Sequence, residues 1–291
     1  VLHSVSPMKM VMTPKNESAP VTVTAPTPPP KINLADHLTP TSLTDPLKGV
    51  SAVYYINMDR STDRNTHMKQ LLEHPMFQDI PVERVQGIDG KRDNISDYVD
   101  FHMCTKNTRM MNTEYGCTLS HFRAIHQFAM TDEPIALIVE DDLSLEFAPF
   151  WKKSVADILA GAPANWEVLQ LSYILFDTIP EGEYDSWEMP KNFCGTAAYL
   201  IHNEAAKRLI RYLCRYSSPA MPKYCFGPEV PFYHHADRFL YTFLKTYSYG
   251  PPLFTYRDDN DSIIHPDHVN FHAESKEKTK KMYLRDAGVT I

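Results

Sequence analysis

The sequence predicts an α/β fold in which helices flank a mainly parallel central sheet. Residues 52–86 read as strand, helix and strand within the length of one βαβ unit. Apolar residues from Tyr115 to Phe128 recur every three or four positions, which is helical spacing. A third apolar strand over residues 135–139 follows, and strands and helices continue to alternate after it. Such alternation is typical of α/β proteins, whose ligands bind beyond the carboxyl ends of the strands.

Each predicted element rests on a local pattern. Short apolar runs rich in β-branched and aromatic residues predict strands, and apolar residues three or four positions apart predict helices. Breakers and caps set the boundaries, such as Pro75 after the first helix and Asn203 before the fourth. We expect strands over residues 52–57, 81–86, 135–139, 166–171, 195–201 and 250–256. We expect helices over residues 65–73, 112–130, 147–159, 203–213 and 235–245.

The first part of the chain differs in composition from the rest. All 33 aromatic residues follow residue 50, whereas 9 of the 23 prolines precede it. A segment without aromatic residues buries too little apolar surface to offset its ordering entropy, so we expect a disordered Pro/Thr-rich stem over residues 1–48. A catalytic domain over residues 49–272 and a charged, loosely held tail over residues 273–291 complete the predicted organisation.

Net charge and hydropathy limit the classes of partner that we expect for this chain. The net charge of −7 disfavours nucleic acid as a partner. The apolar run over residues 135–139 is far too short to span a membrane, so we expect membrane contact only through an N-terminal anchor removed from this chain. A Pro/Thr stem before a folded domain is also the arrangement of enzymes of the Golgi lumen in the secretory pathway. An ordinary disordered N-terminus on a cytoplasmic protein is the alternative.

The clearest chemical signal is the acidic triplet Glu140-Asp141-Asp142 at the end of a predicted buried strand. Residues 140 and 142 of an extended chain point to the same side, and residue 141 points to the other. Two carboxylates on one side suit a hard divalent cation such as Mn²⁺ or Mg²⁺. A solvated acidic turn that caps the next helix is the alternative.

Two further groups of polar residues follow predicted strands. Arg60 and Arg64 lie in the first strand-to-helix turn, where arginine can clamp a phosphate, although both can also simply pair with nearby aspartates. Glu114, Ser120 and His121 lie in the first turns of a helix, whose N-terminus attracts anions. Ser120 and His121 are adjacent and point about 100° apart on a helix, so they do not indicate a serine hydrolase.

Late in the chain, two residues are candidates for chemistry. Asp237 lies near the start of an apolar helix and is either a general base or a helix cap. His265 either completes a metal site or belongs to a polar surface loop. The five cysteines show no CxxC spacing, so a zinc knuckle is not expected, and sequence alone does not pair them.

Six segments, taken in order over residues 51–265, resemble glycosyltransferase family 25, which includes lipooligosaccharide galactosyltransferases and collagen galactosyltransferase domains. Each is weak alone, but the ordered set is specific. The segments are residues 55–64 (YINMDRSTDR), 87–90 (GIDG), 114–123 (EYGCTLSHFR), 136–142 (ALIVEDD), 195–201 (GTAAYLI) and 236–240 (ADRFL).

The resemblance implies a GT-A-like, Rossmann-type fold and transfer of a hexose, with inversion, from a UDP-sugar such as UDP-galactose or UDP-glucose. It implies a glycan, glycolipid or glycoprotein acceptor and a Mn²⁺ or Mg²⁺ ion held by Glu140, Asp142 and His265. It makes Asp237 the catalytic base. It implies seven donor-binding residues: Arg60, Arg64, Asp89, Glu114, Ser120, His121 and Asp141.

Two other classes of protein remain open from the sequence. A non-catalytic carbohydrate-binding or adhesion module with the same fold would not need the acidic triplet, which is intact here. A metal-dependent phosphoesterase would need spaced clusters of His and Asp ligands, and the sequence shows only scattered ones.

Overall fold

The computed structural model of the protein describes residues 31–101, 106, 109–176, 179–187, 193–217, 223–227, 234–257 and 269–290. Its strands, in chain order, are β1 Ala52–Asn57, β2 Val82–Gln86, β3 Ile135–Glu140, β4 Leu143–Ser144, β5 Val168–Leu175, β6 Tyr184–Ser186, β7 Phe193–His202, β8 Thr246–Tyr249 and β9 Thr255–Tyr256. Its α-helices are α1 Thr62–Leu72, α2 Asn112–Ala129, α3 Val155–Gly161, α4 Asn203–Leu213, α5 Ala236–Phe243 and α6 Val269–Asp286. Within this part of the chain, no helix is both long and apolar enough to cross a membrane.

Seven strands form one mixed sheet in the order β2-β1-β3-β7-β5-β8-β6, and β4 pairs with β9 in a small second sheet. β1 is parallel to both β2 and β3, and β5 is parallel to β8. β7 lies antiparallel between β3 and β5, and β6 is antiparallel to β8. Five of the seven strands therefore run in one direction, which confirms the predicted α/β fold with a mainly parallel central sheet.

The sheet is buried on both faces, as its near-continuous apolar strands require. Successive residues of β1 contribute to opposite sides: Tyr54 and Ile56 pack with the helices α2, α4 and α5. Val53 and Tyr55 pack on the other face with residues from α1, α3 and α6. This two-sided burial fixes the register of β1, since a slip by one residue would exchange its two faces.

Two predicted elements differ from those observed. The helix expected over residues 147–159 begins only at Val155, because a short 3₁₀ turn containing Pro149 precedes it and Ser154 caps α3 by accepting from the Asp157 amide. Of the strand expected over residues 250–256, only β9 is observed, and β8 ends before it at Tyr249. Pro251 and Pro252 cannot donate to a strand ladder, so they separate the two.

The expectation of a loosely held tail after residue 272 is wrong, because α6 packs on the sheet and buries Met282, Tyr283 and Leu284. Several of its charged side chains form ion pairs. Lys280 pairs with both Glu146 and Glu277, each at 3.0 Å. Charge-rich composition suggested a solvated tail, but lysine can be buried where acidic partners meet it.

The stem predicted up to residue 48 is also ordered in part. Leu34 and Leu47 are buried in the core beside α6 and α3. The Ile32 amide donates to the Glu277 carboxylate at 2.7 Å, and the Thr41 amide donates to the Pro149 carbonyl at 2.6 Å. The prediction of disorder therefore fails for residues 31–48, whose few leucines reach an apolar groove that the sequence does not reveal.

We expect Leu284→Ala to lower the free energy of unfolding by about 2–5 kcal/mol, because it opens a cavity in the packed core. Lys281→Ala, at an exposed position of the same helix, should leave it nearly unchanged. Chemical denaturation of both variants measures the difference. Equal, negligible effects would mean that the helix contributes no core packing.

Candidate functional site

A cleft of about 120 Å³ opens where β1 and β3 end beside the N-terminal half of α2. The turn formed by residues 87–90 closes one side of it. This position, beyond the carboxyl ends of parallel strands, is where α/β sheets bind ligands. The structure brings eight of the sequence-predicted site residues to the cleft: Arg60, Arg64, Asp89, Ser120, His121, Glu140, Asp141 and Asp142.

Two glycines bring α2 close to the turn of residues 87–90. A Cβ atom on Gly116 would lie 2.6 Å from the Ile88 carbonyl oxygen, and one on Gly90 would lie 2.0 Å from the Asn112 carbonyl oxygen. Only glycine permits this approach of backbone to backbone. The contact places the first turns of α2 against the cleft.

Asp141 is buried and accepts hydrogen bonds from two side chains of other elements. Its Oδ1 accepts from Arg64 Nη1 at 2.7 Å, and its Oδ2 accepts from the Asn57 side-chain amide at 2.7 Å. Burial raises the pKa of Asp141, although both partners oppose that shift. Asp141 thus joins the end of β3 to the end of β1 and to α1, and both of its oxygens are engaged within the protein.

Asp142 is placed differently from Asp141. Its Oδ1 is buried and has no hydrogen-bond partner among the described residues, and its Oδ2 lies 3.6 Å from Arg64 Nη1. Burial and the neighbouring charge of Glu140 raise the pKa of Asp142 to about 7. A buried carboxylate oxygen without a donor is costly, which makes it a candidate to bind a cation.

Glu140 faces the same cleft, and its carboxylate contacts a hydroxyl group and an imidazole ring. Its Oε1 accepts from Thr196 Oγ1 at 2.7 Å and lies 3.4 Å from His121 Nε2. Burial alone would raise the pKa of Glu140, but the interactions with His121 and Thr196 lower it. Glu140 therefore brings a negative charge to the cleft beside Asp142.

Arg60 and Asp89 form the opposite wall of the cleft. Arg60 Nε lies 2.5 Å from Asp89 Oδ2, and the Lys91 amide donates to Asp89 Oδ1 at 3.0 Å. Burial raises the pKa of Asp89, but the Lys91 amide and Arg60 outweigh it and lower the pKa. The pair holds one guanidinium at the cleft edge while Arg64 lies deeper.

Ser120 and Glu114 serve the local structure. Ser120 Oγ accepts from the Ile88 amide at 2.8 Å and donates to the Gly116 carbonyl at 2.6 Å. Glu114 caps α2 by accepting from the Met111 amide at 2.7 Å and also contacts His235 at 3.2 Å, outside the cleft lining. Donor binding by these two residues stays a prediction.

Asp237 lies at the start of α5 and does not line the cleft itself. Its Oδ2 accepts from the Gly195 amide at 3.0 Å, and its Oδ1 accepts from the Arg238 amide at 2.7 Å. Its negative charge contributes to raising the pKa of Cys117, behind burial and Glu140, so it lies near the cleft. The predicted metal ligand His265 lies outside the described residues.

Four residues that shape the cleft were not predicted from the sequence: Asn57, Cys117, Thr196 and Tyr199. Asn57 and Thr196 orient carboxylates, and the Tyr199 hydroxyl lies 3.1 Å from His121 Nδ1. Asn57 was detectable as the polar end of a strand. Cys117 precedes His121 by one helical turn, so it shares the same face of α2. Thr196 and Tyr199 carried no local signal, because only strand pairing brings β7 beside β3.

The chain is similar to known proteins over this region. A family model described as glycosyltransferase family 25 (LPS biosynthesis protein) matches residues 50–223. A "Glycosyltransferase 25 family member" of Anopheles gambiae is 27% identical over 177 residues, which are 56% of this chain and 29% of that protein. One of Aedes aegypti is 25% identical over 183 residues, covering 56% of this chain and 28% of its own length.

A solved structure also matches, at 12% sequence identity and a TM-score of 0.32. It is a glycosyltransferase involved in the glycosylation of the major capsid of PBCV-1, and the match covers 58% of this chain and 69% of that chain.

We expect Asp141→Ala to lower the free energy of unfolding by about 3 kcal/mol, because it leaves the buried Arg64 guanidinium without its main partner. Asp59→Ala removes an exposed carboxylate that pairs with Arg84, so this control should unfold like the parent protein. Urea unfolding followed by circular dichroism tests both. If Asp141→Ala unfolds at the same urea concentration as the parent protein, the Arg64–Asp141 ion pair does not stabilise the fold.

Proposed function

Since this chain belongs to glycosyltransferase family 25, we propose that it transfers a hexose from a UDP-sugar to a hydroxyl group of a glycan, glycolipid or glycoprotein. UDP-galactose or UDP-glucose is the proposed donor, and the anomeric configuration is inverted. The observation that carries this proposal is the convergence of Glu140 and Asp142 with two arginines in one cleft. Anionic ligands of a cation and cationic ligands of a phosphate then lie side by side, as a diphosphate with its metal requires.

The residues present fit a hard divalent cation. Asp142 offers a buried oxygen for which the described part of the chain supplies no donor, and Glu140 offers a second carboxylate beside it. Carboxylate oxygens are the ligands that Mn²⁺ and Mg²⁺ prefer. We propose that Asp142 and Glu140 hold this ion, with His265 as a further ligand. When bound, the ion neutralises the diphosphate and stabilises the departing UDP.

The protein's own residues supply positioning and charge. Arg64 is fixed by Asp141 and Arg60 by Asp89, so both guanidinium groups are oriented before a donor arrives. Fixed positive charge beside a leaving phosphate lowers the barrier without reorganisation during the reaction. We propose that Arg60 and Arg64 contact the donor diphosphate, whereas Asp141 acts by holding Arg64.

We propose Asp237 as the general base that takes the proton from the acceptor hydroxyl. The Gly195 and Arg238 amides fix the orientation of its carboxylate. A base must be held within hydrogen-bond reach of the attacking hydroxyl, and the electrostatic effect of Asp237 on Cys117, which lines the cleft, supports a position near it.

Location in the secretory pathway, in the Golgi lumen, is the proposed setting, with the cytoplasm as the alternative. Cys225 takes part in a disulfide, and disulfides persist mainly in oxidising compartments.

A non-catalytic carbohydrate-binding module is the second candidate. It would keep the fold, yet a sugar-binding surface gains nothing from a buried carboxylate oxygen such as Asp142 Oδ1, which no described residue hydrogen-bonds. The observed cleft therefore favours the transferase.

We expect Asp142→Asn to weaken Mn²⁺-dependent binding of UDP at least about tenfold, because it removes a ligand charge from the ion. Asp59→Asn changes an exposed carboxylate near the same sheet edge and should bind like the parent. Titration calorimetry with UDP, in Mn²⁺ and in a chelator, measures this. Absence of UDP binding to the parent at millimolar nucleotide would favour the binding module, and unchanged binding by Asp142→Asn would refute the metal assignment.

We expect Asp237→Asn to lower kcat by about 10²–10⁴-fold, because the acceptor proton loses its base, while UDP binding is retained. Glu204→Gln, an exposed acidic residue in the first turn of α4, serves as the control. Donor turnover and UDP calorimetry on the same samples separate the two effects. A kcat for Asp237→Asn equal to that of the control would exclude Asp237 as the base.

A further inference from the structure

A second set of ligands lies beside the carboxylate pair, on the side of α2. Cys117, His121 and Glu140 each present a ligand atom, and these atoms all lie within 4.8 Å of one another. Cys117 and His121 are one helical turn apart on α2, and Glu140 ends β3. The three come from two rigid elements, which is how a precise metal site is built.

We propose that Cys117, His121 and Glu140 bind one Zn²⁺ ion, with a fourth coordination position open to the cleft. This assignment rests on the geometry of the three side chains, and only the expected competition with Mn²⁺ also rests on the proposed function. Thiolate, imidazole and carboxylate together suit zinc, whereas harder ions such as Mn²⁺ select oxygen ligands.

The separation of two ligand atoms and the contacts that hold them support binding of one ion by the three side chains. His121 Nε2 and Glu140 Oε1 are 3.4 Å apart, close to the roughly 3.5 Å that separates two ligands of a tetrahedral zinc ion. Tyr199 contacts the other ring nitrogen of His121 at 3.1 Å, and Thr196 donates to Glu140 at 2.7 Å. Such second contacts orient metal ligands and are part of most zinc sites.

All three side chains also line the cleft, which leaves one position of a tetrahedral ion to water or to a ligand oxygen. Three protein ligands and one open position are typical of reactive zinc centres, whereas structural ones use four. When Zn²⁺ binds, the Cys117 thiol releases its proton to solvent and the sulfur becomes a thiolate ligand.

Zn²⁺ at this site would compete with the proposed Mn²⁺ or Mg²⁺ ion for Glu140. Glu140 belongs to both ligand sets, whereas Asp142 belongs only to the oxygen set and Cys117 only to the zinc set. Zn²⁺ is therefore expected to weaken Mn²⁺-dependent UDP binding in the parent protein, and this inhibition should be lost in Cys117→Ser.

Co²⁺ is the probe for the site, because it binds zinc ligands and its bond to a thiolate absorbs in the near ultraviolet. We expect the purified full chain, without nucleotide, to show this charge-transfer band, to saturate it at one cobalt per chain and to lose it when Zn²⁺ is added, since zinc binds more tightly. Cys117→Ser should abolish the band. Cys194→Ser, which removes another free, partly buried cysteine, should retain it.

Tyr199→Phe removes a supporting contact and should weaken cobalt binding about tenfold or more while the band remains. Circular dichroism confirms that each variant is folded. No charge-transfer band in the parent, or a band that persists in folded Cys117→Ser, would overturn the zinc site. The cobalt titration contains no UDP, so its failure is distinct from a failure of nucleotide binding.

Discussion

The buried ion pair between Arg64 and Asp141 is the interaction on which the cleft depends. It joins the first turn of α1 to the end of β3, and Asn57 completes it from the last position of β1. Two neighbouring strand ends are thereby held at a fixed spacing, and a guanidinium is held beside a further carboxylate, that of Asp142. Breaking such a pair leaves an uncompensated buried charge, so the geometry of the cleft and the stability of the fold are linked.

Three consecutive carboxylates consequently have three different environments. Asp141 is paired with Arg64 inside the protein, and Glu140 accepts a hydrogen bond from Thr196. Asp142 keeps one buried oxygen that meets no donor among the residues that the structure describes. The raised pKa of Asp142 expresses the cost of that arrangement, since burial and Glu140 both disfavour its charge. Residues that cost stability in this way are frequently functional, and a bound cation would remove the cost.

Local patterns were sufficient for most elements and failed where tertiary contacts override composition. β1, β3 and α4 follow from apolar runs and helical spacing, which depend on neighbours in sequence alone. The predicted cap Asn203 is wrong, because His202 is the N-cap and the Asn203 side chain donates to the Phe128 and Thr131 carbonyls instead. α6 was missed because its many charged residues suggest a solvated segment. Two of its lysines, Lys276 and Lys280, are buried where Glu146, distant in sequence, meets them.

By itself, the sequence determined the fold class, the family and the place of the acidic triplet, because strand and helix periodicity and an apolar run that ends in carboxylates are local properties. Tertiary structure alone decided the surroundings of each carboxylate. Strand pairing sets Thr196 and Tyr199 beside Glu140 and His121, and a contact between Gly90 and Gly116 brings α2 to the turn. The charge state and partners of a buried side chain depend on what surrounds it in space, and spacing along the chain does not encode that.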